Sequence, residues 1–323
     1  MAEYQGILFV GDTHLASRTL DFRKDDYPRE SLKDFYWCLD YARKKKLLPA
    51  LLGDVFHWPR DNANWLLGEM LQFLNGREVV CIYGNHDCQE NRLTENDSLM
   101  VLIQAGALRL LSPTEPWRGT MNGQPVQLGG TSWGQDSPVE VTRESAKELV
   151  FWMTHHDWLL PGYENDLGPL GKLEVKVLRG ANLVVNGHIH RQLLEYQYET
   201  SRWLNPGSIA RVSRSDASKN HKPMLLKVDI GKKTWSTEYV NVPHRPYKEI
   251  FHEVIVDDDG LPLFEHTSAF IHGLAELQAR RTDTGAGLVA FLDNNLSPFP
   301  EAVQTEIRSL AEQVLNHGTT DDE

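Results

Sequence analysis

EVVCIYGNHD, residues 78–87, is a strand that ends abruptly in chemistry. Val79 to Tyr83 are apolar and favour extended backbone, the pattern of a buried strand. Gly84 then interrupts, and Asn85, His86 and Asp87 come next, three polar side chains that do not help a strand continue. Taken alone, the tetrad reads as a turn, because Gly and Asn tolerate left-handed backbone and Asp caps the next segment. The same event recurs four times elsewhere. GDTH (Asp12, His14), GDVFH (Asp54, His57), THHD (His155, His156) and GHIH (His188, His190) also stand where apolar runs stop.

Working outward, GILFVGD reads as a strand, and PRESLKDFYWCLDYARKKK sets Leu32, Phe35, Leu39 and Ala42 at helical spacing. LPALLGD is the next strand, NANWLLGEMLQFL the next helix, and EVVCIYGNHD the third strand. Such alternation predicts an α/β core with buried strands. From about Val126 the texture turns to strands: PVQLGGTSW, LVFWMTHH, ANLVVNGHIH, QLLEYQYET, SRWLN, MLLKVDI and TWSTEYVNV. Gly231, Lys232 and Lys233 between the last two predict a hairpin. VNVPHRPYKEI, with two prolines, marks a boundary between a domain over 1–243 and an extension over 244–323. The extension is expected to hold a strand and turn in IFHEVIVDDDG and a helix in FPEAVQTEIRSLAEQVLNHG, with Val303, Ile307, Leu310 and Val314 on one face.

The net charge is −12, and 15 Asp and Glu against 5 Lys and Arg lie from His244 onward. Bulk electrostatic coating of nucleic acid is therefore excluded, while the nearly neutral front portion remains able to receive a phosphate. No apolar run approaches the length of a membrane span. The first strand begins almost at the N-terminus with no basic leader, which predicts a cytoplasmic protein. Three cysteines without CxxC spacing imply neither a disulfide framework nor a zinc knuckle.

In an open α/β fold the carboxyl ends of the strands converge on one crevice, so the five clusters can meet there. Asp-x-His and His-x-His put two donors on one side of an extended segment. Carboxylate oxygens with imidazole nitrogens suit divalent Mn, Fe or Zn, and a shared carboxylate can bridge two ions about 3.5–4 Å apart. The tally is that of a two-metal site.

GDxH, GD, GNHD, a lone His and GHxH, in this order, resemble the calcineurin-like metallophosphoesterase superfamily over residues 6–230. The resemblance implies a four-layer αββα sandwich with a small C-terminal α+β extension, and hydrolysis of a phosphoester by a metal-activated water. It implies that Asp12, His14, Asp54 and His190 hold one ion, that Asp54 bridges, and that Asn85, His155 and His188 hold the second. His156 is the alternative to His155. His86 would face the scissile phosphate, oriented by Asp87. Mn²⁺ is the expected metal, with Mg²⁺, Fe²⁺ or Zn²⁺ as alternatives.

GDVFH, LNPGSIARVSR and VPHRPYKEI are similar to the layout of the SbcD-type DNA nucleases, in which the His matching His57 positions DNA phosphates. This implies a nuclease on DNA ends, a 3′-to-5′ exonuclease with single-strand endonuclease activity as an addition. The extension from 244 onward is shorter than the capping and docking segments of that group. It reads as a reduced DNA-capping domain, with an SbcC-like ATPase partner and a homodimer left open. Arg211 and Arg214, with Arg191 and Arg202, are the candidate phosphate contacts. Arg43 to Lys46 read first as a basic helix end complementing its dipole. Trp58, Trp133 and Trp158 lie near the motif loops, as packing or as stacking surfaces for a base. The rival readings are a phosphodiesterase or phosphatase for a small nucleotide, and an inactive protein-binding scaffold.

Overall fold

The computed structural model describes residues 3–20, 22–159, 173–174, 178–213 and 219–252, with a few positions between 292 and 309. Arg214 and nearly all of the stretch beyond 252, with its expected strand and helix, lie outside the described residues. From the N-terminus the chain forms β1 (Gly6–Val10), α1 (Tyr27–Lys45), β2 (Leu47–Leu51), α2 (Asn64–Leu74), β3 (Val80–Cys81), α3 (Ser98–Gln104), β4 (Arg109–Leu110), β5 (Trp117–Met121) and β6 (Gln124–Thr131). It continues with β7 (Leu149–Thr154), β8 (Trp158–Leu159), β9 (Leu173–Glu174), β10 (Leu183–Asn186), β11 (Tyr196–Tyr198), β12 (Ser201–Leu204), β13 (Met224–Ile230) and β14 (Trp235–Asn241).

Two six-stranded sheets result, ordered β14-β13-β1-β2-β3-β4 and β11-β12-β10-β7-β6-β5. In the first, β1 to β4 run parallel and β13 and β14 add antiparallel. In the second, β6, β7, β10 and β12 run parallel between antiparallel edges β5 and β11. Parallel neighbours need crossovers, which α1, α2 and α3 supply between β1, β2, β3 and β4. The α/β sandwich expected from the alternating front half and strand-rich back half is the architecture present.

Helix α1 arises from local chemistry. Asp26 accepts the Arg29 N–H at its start, Pro28 sits in the first turn, and Arg43, Lys44 and Lys45 occupy the last turn. This basic run complements the helix dipole, so the helix-end reading holds. Leu32, Phe35, Leu39 and Ala42 are buried and, with Leu66, Met70 and Leu74 of α2, cover one face of the first sheet at Leu8, Val10, Leu47 and Leu51. The opposite face brings Ile7, Phe9, Leu48 and Ile82 against Val126, Phe151, Met153 and Leu183 of the second sheet. Each large side chain so buried contributes about 1.5–3 kcal/mol. Burial on both faces explains why these strands read as unbroken apolar runs. Beyond the second sheet, Trp152, Val184 and Trp203 pack under Val141, Trp158, Leu178 and Ala181. Among the described residues, loop segments and the short strand β8, rather than a helix, form this outer cover.

The hairpin expected at Gly231–Lys233 is present: Ile230 faces Trp235, and the Gly231 N–H reaches the Thr234 carbonyl at 2.8 Å. A second hairpin, β5–β6, turns on Asn122 and Gly123 at φ 49° and 81°. It is an Asn-Gly signal that the strand pattern alone did not flag. By compactness the chain divides into units Met1–Glu253 and Val254–Glu323. Residues 243–252 belong to the first unit, with Arg23 bridged to Phe251 and the Lys24 N–H on the Ile250 carbonyl. No described helix is long and apolar enough to cross a membrane.

Candidate metal centre

Four of the five polar clusters follow directly on β1, β2, β7 and β10, and GNHD stands just beyond β3. Because these strands are parallel neighbours within their sheets, their carboxyl ends point the same way and deliver the clusters to one place. The turns that present them are strained. Asp12, His14, Asp54 and His188 sit at φ 40°, 43°, 48° and 67°, left-handed values that non-glycine residues seldom adopt. Backbone of this kind costs about 1–3 kcal/mol per residue and concentrates at functional sites. Here long-range bonds hold it: His14 N–H to Asp54 O at 2.9 Å, His188 N–H to Asp12 Oδ1 at 2.9 Å, and the Ser208 hydroxyl to Asp12 O at 2.9 Å.

Three groups of donor atoms form among the described residues, and two of them share Asp54. Asp12, His14, Asp54 and His190 make the first, and Asp54 recurs in a second with His155 and His188. Asp54 turns one oxygen to each: Oδ2 lies 3.7 Å from His14 Nε2, and Oδ1 lies 3.4 Å from His155 Nε2. Asn85 joins the second set, its Oδ1 at 3.3 Å from His155 Nε2 and 2.9 Å from His188 Nδ1. The structure therefore brings together all seven residues expected to hold metal.

The donor set fits divalent cations. His14 Nε2 and His190 Nε2 stand 3.0 Å apart. Two ligands at right angles around an ion, with bonds of about 2.1 Å, lie about 3.0 Å apart. Asp12 Oδ2 is buried without a hydrogen-bond partner among the described residues, a costly state for a carboxylate that a cation would relieve. The His155 Nδ1 meets the Leu52 carbonyl at 2.6 Å, which fixes the ring so that Nε2 faces the donor set. Burial pushes the Asp12 carboxyl up to about 7, against the pull of His155. Burial acts on Asp54 the same way, but His155, His86 and His14 outweigh it and hold this carboxyl well below the usual range. Burial also works against a charged His155, yet Asp54 and Asp12 prevail and raise it to about 9.

The choice between His155 and His156 is decided by strand parity. Phe151, Met153 and His155 face the space between the sheets, whereas Trp152, Thr154 and His156 face the outer layer. His156 packs edge-on to Trp158, and burial lowers its pKa to about 3.

His86 lies outside both donor sets. Its ring meets that of His14 edge-on at 4.8 Å and stacks on that of His57 at 5.4 Å, and the three rings bring nitrogens close to one another. Its Nδ1 meets the His57 carbonyl oxygen at 2.8 Å. The expectation that Asp87 orients this ring needs correction. The Asp87 carboxylate accepts the Phe56 and Gly84 N–H groups, each at 2.9 Å, and so ties the GDVFH loop to the GNHD loop. Asp87→Asn places an amide where two N–H donors need acceptors. A loss of about 1–3 kcal/mol in urea unfolding is expected, with ring placement affected only through the loops.

Arg211 also departs from expectation. It is 8% exposed and donates to the Arg245 carbonyl at 2.6 Å, in a pocket lined by Arg23, Asp34 and His244, so it braces the boundary segment instead of facing outward. Burial, then the neighbouring Arg23, lowers its pKa to about 10. Arg202 is taken by Glu195 at 2.8 and 2.7 Å. Trp133 tilts over His188 at 5.0 Å, while Trp158 is buried in the outer layer.

Three residues outside the donor sets shape the site. A side chain on Gly84 would collide with the Asp54 carboxylate, and one on Gly53, at φ 95°, would meet His155 Nδ1. Buried Asn186 clamps the ends of β7 and β10, bonding Thr154, His156 and Gly187. Its place before GHIH was the available hint.

Comparison with known proteins identifies the family. The sequence profile described as calcineurin-like phosphoesterase matches residues 6–192. Among solved structures, a hypothetical protein from Thermus thermophilus is 12% identical with a TM-score of 0.43, covering 73% of this chain and 99% of that one. A dimetal phosphatase from Danio rerio is 11% identical with a TM-score of 0.41, covering 75% and 100%. Wild-type Vps29 complexed with Zn²⁺ from Entamoeba histolytica is 13% identical with a TM-score of 0.30, covering 73% and 99%. No curated protein sequence matches. With its family profile spanning all five clusters and the strands that carry them, the chain belongs to the calcineurin-like phosphoesterases.

Proposed function

We propose that this protein is a dinuclear-metal phosphodiester hydrolase acting on DNA. The observation that supports it most is Asp54, shared between two complete donor sets, with the His86 and His57 rings beside the first. Asp12, His14, Asp54 and His190 would hold one ion, and Asp54, Asn85, His155 and His188 the other. Two divalent cations, Mn²⁺ by resemblance, supply a nucleophile at neutral pH and neutralise charge growing on the phosphoryl oxygens.

The remaining work falls to the chain. With Nδ1 held on the His57 carbonyl oxygen, the His86 ring is assigned to the phosphate through Nε2. It stabilises the growing charge or protonates the leaving oxygen as the phosphorus–oxygen bond breaks. His57, stacked on His86 and edge-on to Trp58 at 4.5 Å, is assigned to a phosphate of the same strand. Its place in GDVFH supports DNA over a small nucleotide. The extension over 244–323 is assigned as a reduced cap.

The test is a time course on end-labelled linear duplex DNA with Mn²⁺. A ladder shrinking from the 3′ end is expected. Intact DNA beside rapid hydrolysis of a mononucleotide diester would overturn the DNA reading and leave a small-ester phosphodiesterase.

A further inference from the structure

Outside both donor sets, the loops after GDTH and GDVFH build a second feature. Arg18 is exposed, and its guanidinium carbon lies 4.1 Å from the ring centre of Trp58. Four other described arginines also lie on aromatic rings: Arg23 on Tyr27 and Phe251, Arg29 on Trp65, Arg77 on Phe73 and Arg202 on Trp235. Each of those four also holds a carboxylate, from Asp25, Glu69, Asp40 and Glu195 respectively. Among the described residues, Arg18 has no carboxylate partner. Stacking holds the plane of a guanidinium but leaves its N–H edge to bind, and that edge matches phosphate geometry.

The platform beneath it is fixed. Trp58 packs on the buried cluster of Ala16, Leu20 and Tyr27. The Asn62 amide donates to the Trp58 carbonyl at 2.8 Å, and the Ala63 N–H donates to the Ser17 hydroxyl at 3.0 Å, joining the two loops. From Arg18 the contacts run inward through Trp58 and His57 to His86. Three successive contacts separate the guanidinium from His86.

Resting on the DNA reading above, we infer that Arg18, positioned by Trp58, binds a neighbouring phosphate of the substrate strand, so the site selects a polynucleotide over a single phosphoester. The experiment compares Mn²⁺-loaded wild type and Arg18→Gln on thymidine 5′-(p-nitrophenyl phosphate), which has one phosphate, and on a short single-stranded oligothymidylate. Arg18→Gln should lower the ratio of kcat/KM for the oligonucleotide to that for the small ester by about tenfold, chiefly through KM. It should also reduce the salt slope for the oligonucleotide by about one. Trp58→Ala should move the same ratio in the same direction, and Arg18→Lys should recover the salt slope. If wild type cleaves the oligonucleotide and Arg18→Gln changes neither ratio nor slope, the Arg18 assignment fails alone. Equal losses on both substrates would also overturn it. If wild type hydrolyses only the small ester, the DNA reading fails and takes this inference with it.

Discussion

Asp54→Asn is expected to lower kcat by about 10³-fold or more while the bound metal falls below two ions per chain. Asp54 gives one oxygen to each donor set, so a neutral amide weakens both at once. Several kcal/mol of transition-state stabilisation depend on the ions, which sets the size of the loss. Asparagine can still accept the His86 N–H that Asp54 Oδ1 accepts at 2.8 Å, so the loop should keep its shape. Metal content by mass spectrometry, steady-state rates and a circular-dichroism melt separate these effects. Two ions per chain and full turnover in the variant would rule out a bridging carboxylate.

The second large effect concerns His86→Gln. General acid catalysis contributes about 10²–10⁴-fold, and His86, grouped with His14 and His57, lies outside the two sets that share Asp54, so kcat should fall by that order with both ions retained. Leaving-group dependence gives the sharper reading. A p-nitrophenolate departs readily without a proton, whereas a sugar alkoxide needs one. The loss should therefore be greater on DNA than on a p-nitrophenyl ester. An equal loss on both would leave His86 a charge stabiliser only, and loss of a metal would make it a ligand.

Much of this site was legible before the fold. Five polar clusters at strand ends contain every residue of the two donor sets that share Asp54, because a two-metal centre needs donors of those types and parallel strands deliver their ends together. Asp87 was legible as important but not in its role. An aspartate beside a histidine in sequence suggests a partner, yet the Phe56 N–H that claims it lies 31 residues away. Arg211 misled for the same reason, since the carbonyl that binds it lies 34 residues along the chain. Arg18 and Trp58 carried no joint signal, being 40 residues apart in two loops that meet only in the folded chain.

The sequence by itself determined the α/β class, the order of the strands along the chain and the donor inventory. These depend on local properties: apolar periodicity, glycine at strand ends and the chemistry of each side chain. Tertiary structure alone decided which neighbour serves. LVFWMT is apolar on both faces, so no hydrophobic alternation reveals which parity looks between the sheets; only the stacking of the second sheet on the first turns His155 inward and His156 outward. The same holds for the left-handed turns at Asp12, His14, Asp54 and His188. Asp and His tolerate such backbone better than most residues, but the turns persist because hydrogen bonds from residues distant in sequence offset their strain.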